Sequence, residues 1–249
     1  MSRSNNLITP EKFDAVLFDL DGVITATARV HAVCWKKMFD EYLQKRAKEK
    51  NEPFVPFDIE TDYKLYVDGK PRYEGVRSFL ESRDIHLPYG KPNSPPDQET
   101  ICGLGNRKNE MINDVIESEG VEKFESSITL IRHLRSQGIK TAVVSSSANC
   151  RTVLRAAGIE DLFDARVDGE VAAQMKLAGK PAPDIFLAAA KQLGADPKRA
   201  VVVEDAISGV QAGRAGNFGL VIGVDRKGDA KALRDNGADI VVSDLEEIM

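Results

Sequence analysis

An apolar run, Ala15-Val16-Leu17-Phe18, stops abruptly at an acid, Asp19, with a second acid two positions on at Asp21 and then Gly22. The run is β-branched and aromatic enough to read as a buried strand. Alternate residues of an extended chain point the same way, so both carboxylates can face one point where that strand ends. Beyond Thr25 the period changes. Val30, Val33, Cys34, Met38, Phe39 and Leu43 recur at three- and four-residue steps, predicting a helix that runs into the charged stretch Gln44–Glu52 and stops at Pro53. Residues 51–124 are broken by Pro53, Pro56, Pro71, Pro88, Pro92, Pro95 and Pro96, with helical pieces at Val76–Leu80 and Met111–Ile116 and no long strand.

From about Glu125 the blocks become regular. Helices are predicted through Ile128–Leu134 (ending at Gly138), through Val153 and Leu154 to Gly158, and over Ile185–Leu193, Ser208–Ala215 and Ala230–Asn236. Strands are predicted at Ile139–Val144, Ala165–Val167, Ala200–Val203, Leu220–Val224 and Ile240–Val242. Strands alternating with helices of this length predict an α/β fold with a parallel sheet covered on both faces. Right-handed crossovers then gather every strand's C-terminal end on one edge, where ligands bind in open sheets. The expected organisation is an α/β core of residues 1–27 and 123–249, with a small helical domain, residues 28–122, inserted after the first strand.

Composition narrows the function. A net charge of −5 argues against general nucleic-acid or anionic-membrane binding. Cys34, Cys102 and Cys150 show no metal-like spacing and read as reduced thiols of a cytoplasmic protein. The chain has no apolar stretch long enough to span a bilayer, and the polar stretch Met1–Thr9 does not read as a signal peptide.

The predicted sheet edge collects Asp19/Asp21, Ser145–Ser147, Lys180 and Glu204/Asp205. Each has an ordinary reading. Asp-x-Asp-Gly is equally a strand ending in a solvated turn, Ser145–Ser147 a helix N-cap, Lys180 a solvated loop residue and Glu204-Asp205 a strand ending in water. Together they supply what phosphoryl transfer requires: a nucleophile, carboxylates for a hard divalent ion, hydroxyls for phosphate oxygens and a lysine against developing charge. On spacing alone, His31 is a partly buried helix histidine that shares a face with Trp35.

These motifs resemble those of the haloacid dehalogenase superfamily, in its β-phosphoglucomutase-like branch with a helical cap inserted after the first strand. Phe-Asp-Leu-Asp-Gly-Val-Ile-Thr at Phe18–Thr25 is similar to the branch's first motif, Ser145 to the second, Lys180 in Gly-Lys-Pro-Ala-Pro-Asp-Ile-Phe to the third, and Glu204-Asp205 to the fourth. The resemblance implies a Rossmann-like core, Asp19 as nucleophile and Asp21 as general acid/base. It further implies magnesium held by Asp19, Asp21 (through its backbone carbonyl), Glu204 and Asp205, and phosphate held by Ser145, Ser146 and Lys180. An aspartate at position 21 fits phosphatases and phosphomutases, whereas the ion-pumping ATPases carry threonine there. In the insert, Gly69-Lys70-Pro71-Arg72 resembles the loop whose arginine grips the substrate's non-reacting phosphate. Arg107-Lys108-Asn109 resembles the segment that contacts the sugar, and His31 and Trp35 match aromatic positions on the first cap helix. The substrate-binding set so implied is His31, Trp35, Gly69, Arg72, Lys108, Asn109, Ser147 and Asn149.

The chain also departs from the branch. Alanine stands at Ala26, Ala148 and Ala206, Tyr73-Glu74-Gly75 follows Arg72, and the insert is enlarged by Pro88–Pro96. The expected activity is magnesium-dependent phosphoryl transfer on a small phosphorylated sugar, by a monomer, through an aspartyl-phosphate. With a sugar hydroxyl as acceptor it is a mutase turning β-glucose 1-phosphate into glucose 6-phosphate, primed by a sugar bisphosphate. With water as acceptor it is a phosphatase, for example on trehalose 6-phosphate or hexose phosphates. A sugar-phosphate sensor without catalysis is the third reading.

Overall fold

The computed structural model describes residues 7–249; residues 1–6, within the polar stretch Met1–Thr9, lie outside the described residues. The described residues form two compact units, 7–26 with 121–249, and 27–120. The first begins with strand β1, Ala15–Phe18, whose four side chains are all buried. Among the described residues no helix is long and apolar enough to cross a membrane.

The second unit is helical. Helix α1, Thr27–Lys50, carries Lys48 and Lys50 in its last turn, where cations suit the helix dipole, and stops where Asn51 adopts φ 53°. Its buried stripe includes Ala32, Trp35, Met38, Phe39, Tyr42 and Leu43. Val33, placed on the stripe by its spacing, is instead 52% exposed, because the helix turns one position further toward the side of Ala32. A π-helical segment, Ile59–Val67, leads to α2, Arg72–Ser82. Helix α3, Ile101–Glu119, starts ten residues before the predicted piece at Met111. Gly103 and Gly105 hide that first half, since glycine disfavours helix interiors. Both are needed sterically: a Cβ on Gly103 would lie 2.1 Å from the Gln98 carbonyl oxygen, and one on Gly105 would lie 2.8 Å from Tyr73 Cδ1. The unit is built on packed rings, Trp35 and Phe57 stacked on Phe39 and Phe79 tilted against it, with centroids 4.3–5.4 Å apart.

The first unit resumes with α4, Glu125–Ser136, β2, Lys140–Val144, α5, Cys150–Ala156, β3, Ala165–Val167, and α6, Gly169–Met175. Periodicity gave no sign of α6. The Asp168 side chain creates its start by accepting from the Glu170 and Val171 amides. There follow α7, Asp184–Leu193, β4, Ala200–Glu204, α8, Ile207–Ala215, β5, Leu220–Val224, α9, Ala230–Asp235, and β6, Ile240–Val242. All six strands are parallel in the order β3-β2-β1-β4-β5-β6. The chain leaves β1 toward β2 on one side and β4 on the other, so β1 sits at the switch in strand order where such sheets open a crevice. Phe18 aligns with Val143 and with Val203, which brings the ends of β1, β2 and β4 level.

Candidate active site

Asp19 leaves the sheet at the end of β1 with its amide donating to the Val203 carbonyl at 2.9 Å, so the backbone fixes the start of its side chain. The chain then folds into a tight loop. The Gly22 amide donates to Thr25 O, and the Thr25 amide and hydroxyl both donate to Leu20 O. Gly22 has φ 98°, and a Cβ there would stand 2.2 Å from Asp205 Oδ2. Glycine is thus required both by the turn and by the carboxylate packed against it. Asp21 is half-buried on this loop.

Lys180 lies at the centre of the charged group. Its Nζ donates to Asp19 Oδ1 and to Glu204 Oε1, each at 2.5 Å, and it is 2% exposed. Glu204, wholly buried at the end of β4, also accepts from the Ala206 amide at 2.9 Å. Asp205 follows it, buried, with Lys227 Nζ 3.4 Å from Oδ2. Burial raises the Asp19 pKa well above the ordinary value, and the nearby Glu204 raises it further. Burial alone would lower the Lys180 pKa, but Asp19 and Glu204 outweigh that and raise it, so the lysine stays protonated.

Asp19, Glu204 and Asp205 offer carboxylate oxygens that all lie within 4.8 Å of one another. Three buried carboxylates face one buried ammonium, an excess of negative charge in an all-oxygen donor set. That set fits a hard divalent cation. Two supporting residues escaped the sequence reading. Gly209 leaves room for Glu204, whose carboxylate a Cβ there would meet at 1.9 Å, and Lys227 adds a cation beside Asp205. Gly209, one turn beyond the fourth motif, was the available signal for the first; nothing marked the second.

Ser145 emerges from β2, buried, its amide on Val167 O. Its hydroxyl accepts from the Ser147 amide at 3.0 Å, and the Ser147 hydroxyl accepts from the Asn149 amide at 3.1 Å. The serines therefore shape their own loop, which Gly169 underlies by donating to Ser147 O. Ser146 and Asn149 are half-buried on it.

In the helical unit the structure brings His31, Trp35 and Lys108 together. Lys108 is buried, with Nζ 2.8 Å from His31 Nδ1 and 5.0 Å from the Trp35 ring centroid. A protonated lysine can only donate, so Nδ1 accepts and the proton of a neutral imidazole lies on Nε2. Trp35 also stacks within the aromatic core. Gly69, with φ 72°, precedes Arg72, the first residue of α2, and Asn109 is half-buried on α3 beside Lys108.

A parallel sheet whose switch-point strand ends in a buried Asp19–Lys180–Glu204 network, with Asp205 beside it, defines a haloacid-dehalogenase-type α/β fold. Residues 13–217 match the haloacid dehalogenase-like hydrolase family, and the chain belongs to that family, whose members generally use magnesium. It is 51% identical over 250 residues to a β-phosphoglucomutase of Mycobacterium tuberculosis, covering 99% of this chain and 95% of the relative. A phosphorylated carbohydrates phosphatase of Thermotoga maritima is 27% identical, with 95% and 96% covered. Among solved structures, a β-phosphoglucomutase from Clostridium difficile superimposes with a TM-score of 0.71 at 28% identity, covering 95% of this chain and 93% of that one.

Proposed function

We propose that the chain is a cytoplasmic, magnesium-dependent phosphotransferase that converts β-glucose 1-phosphate to glucose 6-phosphate. The observation that carries this reading is the buried Asp19–Lys180–Glu204 network with Asp205 beside it, in a chain 51% identical to a β-phosphoglucomutase. Core residues 1–27 and 123–249 perform the chemistry, and insert residues 28–122 select the substrate. The three buried free thiols fit a reducing compartment.

One carboxylate oxygen of Asp19 attacks phosphorus. The new O–P bond forms as the bond from phosphorus to the sugar oxygen breaks, and Asp21 delivers its proton to that leaving oxygen. Asp21, now a carboxylate, takes the proton of the accepting hydroxyl, which receives the phosphoryl group and frees Asp19. Lys180 holds negative charge close to the phosphoryl oxygens, and Ser145 and Ser146 supply hydroxyl and amide donors to them. Asp19, Glu204, Asp205 and the Asp21 carbonyl would hold magnesium, which when bound supplies positive charge against the transferring phosphoryl group. A bisphosphorylated sugar primes the cycle by leaving one phosphoryl group on Asp19. His31, Trp35, Gly69, Arg72, Lys108 and Asn109, with Ser147 and Asn149, bind the sugar and its second phosphate.

A second reading is hydrolysis, favoured by the likeness to a carbohydrate phosphatase. Phosphorus NMR of the products from β-glucose 1-phosphate, α-glucose 1-phosphate and trehalose 6-phosphate separates the two. The proposal expects glucose 6-phosphate from the β-anomer with little free phosphate. One phosphate released per sugar consumed, whatever the primer, makes the enzyme a phosphatase.

A further inference from the structure

The enlargement Pro88–Pro96 and the residue after Arg72, both departures from the resembled pattern, meet in one hydrogen-bonded chain within the helical unit. Asn106 Nδ2 lies 3.0 Å from Pro92 O and 2.9 Å from Ser94 O. Carbonyls only accept, so these two contacts fix which end of the Asn106 amide faces the loop. Asn106 Oδ1 is thereby turned to the Tyr73 hydroxyl, 2.9 Å away, and accepts its proton. With its proton committed, the hydroxyl has lone pairs to offer, and Arg72 Nη2 donates to it at 3.2 Å. The Arg72 guanidinium also lies over the Tyr73 ring, with Cζ 4.9 Å from the centroid.

The support beneath this chain is rigid. Tyr73 and Arg72 lie on α3 at Gly105, where a Cβ would stand 2.8 Å from Tyr73 Cδ1 and 3.2 Å from Arg72 Cγ. The loop is pinned to the start of α3: the Ile101 and Cys102 amides donate to Pro88 O and Tyr89 O, and Arg107 Nε donates to Pro96 O at 2.9 Å. Tyr89 meets the Tyr73 ring edge-on at 6.3 Å. Among the described residues Arg72 Nε is buried with no hydrogen-bond acceptor. A buried donor left unsatisfied is costly, and a phosphate oxygen satisfies it.

We propose that Tyr73 is a positioning residue: held by Asn106 and the Pro88–Pro96 loop, it locks the Arg72 guanidinium in one orientation for a phosphate monoester. This rests on the reading of Arg72 as the ligand of the sugar's second phosphate. The loop thus sets how selectively that phosphate is recognised, without touching it.

The test combines nitrogen-15 NMR of the Arg72 side chain with binding of glucose 6-phosphate to the full chain. Wild type gives separate Nη resonances, the sign of hindered rotation, and Tyr73→Phe averages them while keeping the ring. Tyr73→Phe also weakens glucose 6-phosphate binding by roughly three- to tenfold, the scale of one ordinary hydrogen bond felt through Arg72, and raises KM more than it lowers kcat. Asn106→Leu gives a smaller effect in the same direction, because Pro92 O, 3.2 Å from the tyrosine hydroxyl, still accepts its proton. In an Arg72→Ala background Tyr73→Phe has no further effect on binding. Separate Nη resonances retained in Tyr73→Phe, or equal weakening with and without Arg72, overturns the proposal. Averaged resonances in Tyr73→Phe together with wild-type binding by Arg72→Ala leave the positioning intact and remove Arg72 from phosphate binding instead.

Discussion

The two units hold their charges in contrasting ways. In the α/β unit, two carboxylates at the ends of adjacent strands share one ammonium, a third carboxylate lies beside them, and the backbone of the sheet sets their places. In the helical unit, neutral groups help to place the cations Lys108 and Arg72: an imidazole nitrogen and the Trp35 face for one, a phenol and its ring for the other. The first arrangement is rich in negative charge and suits a divalent cation. The second presents positive charge suited to an anionic ligand. Sheet-end groups move only if the strands move, whereas groups held by stacked side chains can be retuned by a few substitutions. The function we propose accordingly puts the chemistry in the sheet and substrate choice in the insert.

The largest break of that contrast is Asp19→Asn. An amide cannot act as the nucleophile, so turnover falls by several orders of magnitude while circular dichroism and thermal unfolding stay close to wild type. Appreciable residual rate in a preparation free of wild-type enzyme removes Asp19 from its role. Next comes Lys180→Met. It leaves Asp19 and Glu204 facing each other in a buried site, and losing one partner of such a network costs about 3–5 kcal/mol. Urea unfolding without metal should show that loss, and added magnesium should recover part of it by binding the native state. An unchanged midpoint contradicts the bridging role.

Smaller effects concern the metal. Glu204→Ala and Asp205→Ala each raise the magnesium concentration needed for half-maximal activity, by roughly tenfold or more if a carboxylate ligand is lost. The Asp19 pKa is raised by burial and by Glu204, so metal binding must displace a proton held above the usual carboxylate range. Apparent magnesium affinity, measured by calorimetry, therefore strengthens as pH rises above the ordinary aspartate range. In Asp19→Asn that dependence flattens. A flat profile in wild type contradicts the burial of an anionic Asp19 beside Glu204.

The same contrast governs what could be read from the chain. The core elements were legible because a parallel sheet buries both faces and writes its strands as continuous apolar runs, each closed by a polar residue. Asp19, Ser145 and Glu204 stand at such closures, and Lys180 follows from its Gly-Lys-Pro context. The insert was legible only in outline. Gly103 and Gly105 masked the first half of α3, yet they are there to let the loop and Tyr73 approach the helix closely. The α1 stripe was rotated at Val33, because alternating small and large residues blur a helical period. Lys227 and the Tyr73–Asn106 contacts arise from segments far apart in sequence and leave no local pattern.

The central claim, that the core transfers phosphate and the insert decides the acceptor, is tested most directly by Arg72→Ala. Phosphorus NMR follows β-glucose 1-phosphate with enzyme primed by glucose bisphosphate, in wild type and variant. Losing a charge-assisted contact worth about 1.5–3 kcal/mol should slow isomerisation by roughly tenfold or more. Hydrolysis of the aspartyl-phosphate should fall less, because the core groups that perform it are untouched, so the ratio of free phosphate to glucose 6-phosphate rises. An Arg72→Ala enzyme with the wild-type ratio, whether its rates are unchanged or both reduced equally, contradicts that division of labour.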